Sequence, residues 1–240
     1  MKERPILFSS SMVRALLAGK KTQTRRLVKS QPMMGMVAGR PDLGTGWIWQ
    51  NGKARFNNPC DEKELADAMA THKGVCPYGV PGDRLWVKET WRTAADLDAY
   101  SPTTIAQRCL DAGYERPWAP MRYEADGHHI AHDGWTAEGK TRVSIHMPRW
   151  ASRITLAVKA VRVERLNDIS EEDARAEGVR WQNAAIVVRD GEIQSEMSGT
   201  CRGAFACLWD SINGDRAPFA SNPWVWVVSF ERVATKGSAE

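Results

Sequence analysis

The sequence predicts an α+β fold, a small mixed β-barrel with flanking helices and two irregular insertions. At least four β-rich stretches are spread along the 240 residues, and the helical stretches between them are few and short. No regular succession of strand, helix and strand is present, which argues against a parallel α/β sheet. We expect a single domain, residues 1–240, with insertions at about 31–80 and 93–143.

The predicted strands are stretches in which apolar and polar residues alternate or β-branched and aromatic residues dominate. In chain order they are Thr22–Val28, Arg84–Trp91, Arg153–Leu166 and Trp224–Val233. The third is the longest, and its alternation predicts one buried and one exposed face.

The predicted helices are recognised by their caps and by apolar spacing. They are Met12–Ala18, Asp61–His72, Ser170–Ala176 and Gly203–Ile212. Asp61 and Glu64 form a capping-box pattern at the second of them. Gly19 and Gly178 follow the first and third, where glycine commonly ends a helix. In the fourth, Phe205, Leu208, Trp209 and Ile212 share one predicted face.

The two insertions carry weaker signals. Residues 31–58 are rich in Gly, Pro and Met, which predicts a long loop or a hairpin around Trp47–Trp49. Residues 93–140 predict a short helix begun by Ser101–Pro102 and a hairpin near Tyr123–His132.

Composition excludes several classes of protein. With 42% hydrophobic and 26% charged residues the chain is globular rather than disordered. No apolar run approaches the roughly 18 residues of a membrane span, and the first residues lack the apolar core of a signal peptide. The five cysteines form no tight framework, which predicts a reducing cytoplasm. A net charge of +4 is too mild to indicate nucleic-acid binding by itself.

Several segments resemble one known family. LLAGKKTQTRR, residues 16–26, resembles the opening motif of ASCH domains, and PGDRLWVKETW, residues 81–91, is similar to the strand that follows it. LNDISEEDARAEGV, residues 166–179, is similar to a later strand-to-helix segment. Residues 145–154 and 208–214, IHMPRWASRI and LWDSING, resemble a larger phage and prophage branch. The resemblance implies a PUA-like β-barrel.

One branch of this family hydrolyses the amide of N(4)-acetylcytidine, with a lysine, a threonine three residues later and a glutamate in the later helix. The resemblance assigns these roles to Lys21, Thr24 and Glu177 here. Other members are linked to RNA binding or RNA cleavage, so the family leaves more than one activity open.

The residues themselves permit this chemistry. A threonine hydroxyl needs a base to remove its proton, and a lysine can serve only if its pKa falls towards about 7–8. Burial and the adjacent charges of Arg25 and Arg26 would lower the pKa of Lys21. The alternative is a basic turn that faces solvent or binds phosphate.

Glu177 precedes Gly178 at the C-terminal end of its predicted helix. A carboxylate there meets the negative end of the helix dipole, at a cost of about 0.3–1 kcal/mol, and such misfits can mark functional positions. In the functional interpretation Glu177 orients water or moves a proton, paired with Lys21. The alternative is a solvated glutamate near Arg175 or Arg180.

Five further residues are candidates for substrate binding: Arg26, Glu89, His146, Arg149 and Trp150. In the strand Arg84–Trp91, Glu89 could accept from a cytosine-type amino group. The imidazole of His146, the guanidinium of Arg149 and the indole of Trp150 could together hold a phosphate and stack a base. The alternative for Glu89 is a residue at the edge of the sheet. The alternative for His146, Arg149 and Trp150 is a structural turn in which Trp150 closes the end of the barrel.

No metal site is predicted. Cys60, His72 and Cys76 lack the close ligand pair typical of zinc sites, although a distant histidine could complete the set, and His128, His129 and His132 cluster further on. Of the eleven tryptophans, Trp150 is the predicted base-stacking residue, and Trp118 is expected to pack its insertion onto the barrel.

The predicted function is removal of an acyl group from N(4)-acylated cytosine, by a cofactor-independent hydrolase acting on a C–N amide bond. The expected partner is a modified nucleoside or RNA, with single-stranded nucleic acid as a further candidate and no membrane. The expected location is the cytoplasm of a bacterial or phage-infected cell. The alternatives are a non-catalytic RNA- or DNA-binding phage module and a ribonuclease.

Overall fold

The computed structural model describes residues 1–36, 45–51, 54–71, 76–127, 137–180, 188–189, 192–193 and 199–233. Within these ranges the chain forms twelve strands and five α-helices. The α+β class predicted from the sequence is therefore confirmed. No helix in the described ranges is long and apolar enough to cross a membrane.

The chain divides into two compact units, each built from separate stretches of sequence. The first unit comprises Met1–Gly19, Asp83–Ala157 and Arg232–Glu240, and the second comprises Lys20–Gly82 and Val158–Glu231. The single domain expected from the sequence stays a prediction.

The main sheet of the first unit joins three strands. β1 (Glu3–Leu7) runs parallel to β6 (Arg84–Lys88), and β6 pairs antiparallel with Thr155–Ala157 of β9 (Thr155–Arg165). Burial alternates along β6, with Leu85 and Val87 inside. This alternation is the period-two pattern expected for a strand that has one buried face.

The predicted strand Arg84–Trp91 is in fact two strands in different sheets. β6 ends at Lys88, and Trp91 opens β7 (Trp91–Thr93), which pairs antiparallel with β8 (Met121–Tyr123). The break follows from burial, because the Trp91 ring packs in a separate apolar cluster with Met147 and Ala151.

Two helices of the first unit begin at serine caps, as the sequence predicts. Ser9 caps α1 (Ser10–Leu17), and Ser101 caps α3 (Pro102–Asp111). α3 and β8 are regular elements of the second insertion. The predicted hairpin Tyr123–His132 extends beyond the described residues.

The second unit contains a sheet in which β12 lies between β9 and β2. β2 (Gln23–Leu27) pairs antiparallel with β12 (Trp224–Val233), and Thr24 lies opposite Val228. Most of β12 is buried, which fixes β2 against the core of this unit.

The first insertion is more regular than the sequence indicates. β3 (Met33–Met36), β4 (Thr45–Asn51) and β5 (Ala54–Cys60) form an antiparallel sheet, followed by α2 (Glu62–Thr71). The capping box of α2 is formed, since the Glu64 backbone N–H donates to Asp61 Oδ1 over 2.7 Å. This regular structure is stabilised by burial of an apolar cluster that includes Trp49, Leu65, Met69, Trp224 and Trp226.

α4 (Glu171–Ala176) and α5 (Cys201–Asn213) complete the second unit, and the short strands β10 (Val188–Arg189) and β11 (Glu192–Ile193) lie between them in sequence. The Glu171 carboxylate accepts from the backbone N–H groups of Arg202 and Cys201 at the start of α5, over 2.9 and 3.0 Å. These hydrogen bonds lower the pKa of Glu171 and join the two helices.

α5 buries a narrower face than the sequence predicts. Phe205 and Trp209 are each 3% exposed, whereas Ile212 is 50% exposed. The Phe205 ring contacts Trp209 and Phe219 at centroid distances of 6.2 and 6.5 Å. Phe205 is therefore the apolar anchor of this helix.

We expect Phe205→Ala to lower the free energy of unfolding by about 3–5 kcal/mol, because it leaves a cavity in the core of the second unit. Ile212→Ala on the same helix should stay within about 0.5 kcal/mol of wild type. Urea denaturation measures both. Equal losses would show that α5 does not pack through Phe205.

Candidate functional site

Lys21 is buried at the entrance to β2, with 3% of its surface exposed. Its backbone forms an isolated antiparallel bridge with Glu177, at the end of α4. The Lys21 Nζ donates to Glu177 Oε2 over 2.7 Å and to the Glu177 carbonyl oxygen over 2.9 Å. The two residues that the sequence analysis paired are therefore in direct contact.

Burial lowers the pKa of Lys21 below its ordinary value, and the charges of Arg26 and Arg25 lower it further. The Glu177 charge and hydrogen bond act in the opposite direction. The net direction is downward, so neutral lysine is more accessible here than at an exposed site.

Glu177 terminates α4 immediately before Gly178, which has a positive φ of 85°. Only 5% of Glu177 is exposed, so its carboxylate has little access to water. Lys21 contacts one carboxylate oxygen, and Arg25 Nη1 donates to the other over 3.3 Å. The unfavourable interaction between the Glu177 carboxylate and the negative end of the helix dipole is thus offset by the two cations.

Arg25 is the hub of a larger ion network that the sequence analysis did not recognise. Its side chain is fully buried, and its guanidinium also donates to Glu164 Oε1 over 2.6 Å and to Asp173 Oδ2 over 2.9 Å. A further hydrogen bond of 2.7 Å reaches Gln23 Oε1. One signal was available, because Asp173 and Glu177 are four residues apart and share a helix face.

Thr24 and Arg26 occupy the opposite face of β2 from Gln23 and Arg25, as strand alternation requires. Thr24 is completely buried, and its Oγ1 accepts from Arg26 Nη1 over 2.8 Å. Because the hydroxyl oxygen accepts, the hydroxyl proton remains available for donation. The Arg26 charge also acts on Lys21 and Glu177, so it links the two faces electrostatically.

The first unit holds the other predicted binding residues. Glu89 is 1% exposed, and both of its carboxylate oxygens accept from Arg153 over 3.0 Å. Arg153 also pairs with Asp126 and stacks on the Tyr123 ring, 3.9 Å from its centroid. Burial raises the pKa of Glu89 although Arg153 lowers it. In this arrangement the Glu89 carboxylate holds Arg153.

His146, Arg149 and Trp150 lie on two successive 3₁₀ turns. His146 is exposed, and Arg149 pairs with Glu3 through Nε and Oε2 at 2.9 Å. The Trp150 ring is partly buried, edge-on to Trp91 at a centroid distance of 6.0 Å. Trp150 therefore has a packing contact with Trp91, and its role in stacking a base stays a prediction.

The metal-ligand candidates cannot be assembled from the described residues. His72, His128, His129 and His132 lie outside them, and Cys76 is buried and belongs to no disulfide. In the part of the chain that the structure describes, no three histidine, cysteine, aspartate or glutamate side chains are grouped as metal ligands.

Comparison with known proteins adds no relative, since no family model, curated protein or solved structure matches this chain. The resemblance to ASCH domains stays a prediction.

We expect Arg25→Gln to lower the free energy of unfolding by about 3–5 kcal/mol, because it leaves the buried Glu177 and the partly buried Glu164 and Asp173 without their shared cation. Arg175→Gln is the matched control, since the Arg175 side chain is 66% exposed and lies 3.9 Å from Glu171. The control should change stability by at most about 1 kcal/mol. If chemical denaturation gives the same loss for both variants, Arg25 does not stabilise this unit through its buried contacts.

Proposed function

We propose that this protein is an amidohydrolase that removes the acyl group from N(4)-acylated cytosine, carried by a nucleoside or by RNA. In this proposal the fold is a PUA-like barrel of the ASCH type, from the larger phage and prophage branch, working in the cytoplasm. The observation that carries the proposal is the buried Lys21–Glu177 pair at the entrance to the strand that bears a buried Thr24. Buried ionisable groups with shifted pKa values concentrate at functional sites.

Lys21 acts as the general base. Its lowered pKa increases the fraction of neutral amine at neutral pH, and only the neutral amine can accept a proton. Glu177 holds the Nζ in place and, after the first step, orients the attacking water.

Thr24 acts as the nucleophile. The hydrogen bond that its oxygen accepts from Arg26 leaves the hydroxyl proton available for donation. Thr24 lies on the opposite face of β2 from Arg25, so the proposal requires the Thr24 hydroxyl and the Lys21 amine to approach each other when the substrate binds. In this proposal Arg26, which holds the Thr24 oxygen, also takes part in binding the substrate.

The reaction proceeds in two stages. Thr24 Oγ attacks the acyl carbonyl carbon and its proton passes to Lys21, then the C–N bond breaks and the same proton passes to N4 of cytosine. Water next attacks the threonine ester, releasing the carboxylic acid and restoring the hydroxyl. The sum is amide plus water giving amine plus carboxylic acid, so no redox partner is required.

Arg25 serves as a positioning residue. It contacts Glu177 together with Glu164 and Asp173, and so fixes the carboxylate that faces Lys21. Its charge also lowers the pKa of Lys21, which favours the neutral base.

Lys21→Ala and Thr24→Val should each lower kcat/KM for N(4)-acetylcytidine by about 10²- to 10⁴-fold, because each removes a group that takes part in proton transfer. Chromatography of released cytidine measures the rate. Thr24→Ser should retain part of the activity, since it keeps a hydroxyl at the same carbon.

The neighbouring residues supply matched controls. Lys20 and Thr22 are exposed, and Lys20→Ala and Thr22→Val should turn over substrate like wild type. Turnover that persists in Lys21→Ala and Thr24→Val, or a wild-type protein that releases no cytidine, would overturn the proposal.

A further inference from the structure

Two large aromatic side chains are exposed in the loop that follows α3 in the first unit. Tyr114 is 56% exposed and Trp118 is 55% exposed. Their ring planes are within 17° of parallel, with centroids 6.4 Å apart. This is the reverse of the packing role that the sequence predicts for Trp118, and it leaves two aromatic faces open to a ligand.

Open space surrounds this aromatic pair. Both rings line a shallow cavity of about 410 Å³, which is also bordered by Glu115 and Arg116. Both also line a second cavity of about 260 Å³, together with Ile105 and Arg108. The larger of these volumes is within the range of small-molecule sites, about 300–1,000 Å³.

Two cations beside the pair are available to a ligand. Among the described residues of the first unit, neither Arg108 nor Arg116 is one of the arginines that form ion pairs, which include Arg92, Arg142, Arg149 and Arg153. Arg108 is held over the Tyr100 ring, 4.4 Å from its centroid. The cavities also carry the carboxylates of Asp96 and Glu115, which can accept from an exocyclic amino group.

The loop that carries the pair is anchored to α3 by Cys109. The Trp118 backbone N–H donates to Cys109 Sγ over 3.3 Å, and the thiol donates to the Arg116 carbonyl oxygen over 3.6 Å. The Tyr114 backbone N–H donates to the Cys109 carbonyl oxygen. The aromatic pair is therefore arranged before any ligand arrives, which reduces the ordering cost of binding.

We propose that Tyr114 and Trp118 form a stacking site for bases of single-stranded nucleic acid, with Arg108 and Arg116 binding the phosphates. Near-parallel aromatic rings with cationic side chains beside them are a combination that binds single strands without strict sequence preference. An apolar protein partner would cover the rings but leave both guanidinium groups unpaired. The site shares no residue with Lys21, Thr24 or Glu177 and does not depend on the proposed hydrolase activity.

Fluorescence anisotropy with a labelled mixed-sequence RNA of about ten nucleotides tests the proposal. Trp118→Ala should weaken binding by about 5- to 150-fold, and Tyr114→Ala should weaken it too, because each removes a stacking face. Trp118→Phe should recover part of the affinity. The control is Leu110→Ala, an exposed apolar residue on α3 that should leave binding unchanged.

Salt dependence tests the cations separately. Arg108→Gln combined with Arg116→Gln should reduce the slope of log affinity against log salt by about 1.4, the loss of two single-strand phosphate contacts. A labelled single-stranded DNA of the same length should respond to the variants in the same way, since base and phosphate are common to both. Equal affinity of wild type and Trp118→Ala, or no binding by wild type, would overturn the proposal.

The stacking site and the proposed hydrolase can fail independently. Lys21→Ala should bind the RNA like wild type while losing turnover. Trp118→Ala should hydrolyse free N(4)-acetylcytidine like wild type. If Lys21→Ala loses RNA binding as strongly as Trp118→Ala, the bases do not bind at the aromatic pair alone and the stacking proposal is wrong.

Discussion

A carboxylate buried at the C-terminal end of a helix needs cations to replace the water that it loses. Glu177 obtains them from Lys21 and Arg25, one on each carboxylate oxygen. Arg25 in turn reaches Glu164 on β9 and Asp173 on α4, so the same charges join α4, β9 and the start of β2. The packing of these elements and the pKa of Lys21 therefore depend on the same network of charges.

Much of the local structure follows from short-range signals in the sequence. The serine caps, the capping box of α2, the alternation along β9 and the β-branched and aromatic residues of β12 place helices and strands within a few residues of their observed bounds. The contact between Lys21 and Glu177 was anticipated only in the functional interpretation, which rests on the resemblance to ASCH domains, whereas the alternative was a solvated glutamate near Arg175 or Arg180. The caps, the capping box and the strands are predictable because each is decided by residues close together in the chain.

The features that could not be predicted from the sequence depend on contacts between residues far apart in the chain. The Arg25 network needs Glu164, 139 residues away, and nothing in the KKTQTRR motif distinguishes Arg25 from its neighbours. Trp118 was assigned by its place in an insertion and Trp150 by its place in a motif, yet Trp118 is exposed and Trp150 packs edge-on to Trp91. Burial of a tryptophan is set by the tertiary fold, and composition alone does not reveal it.

A lysine whose neutral form is favoured by burial is the centre of this site, and NMR titration of labelled lysine side chains measures it directly. Lys21→Arg identifies the Lys21 signal. The pKa of Lys21 should lie below its ordinary value of 10.5, and lower still in Glu177→Gln, because the Glu177 charge raises it. A Lys21 amine that titrates at or above 10.5 in the wild-type protein would contradict its assignment as a general base.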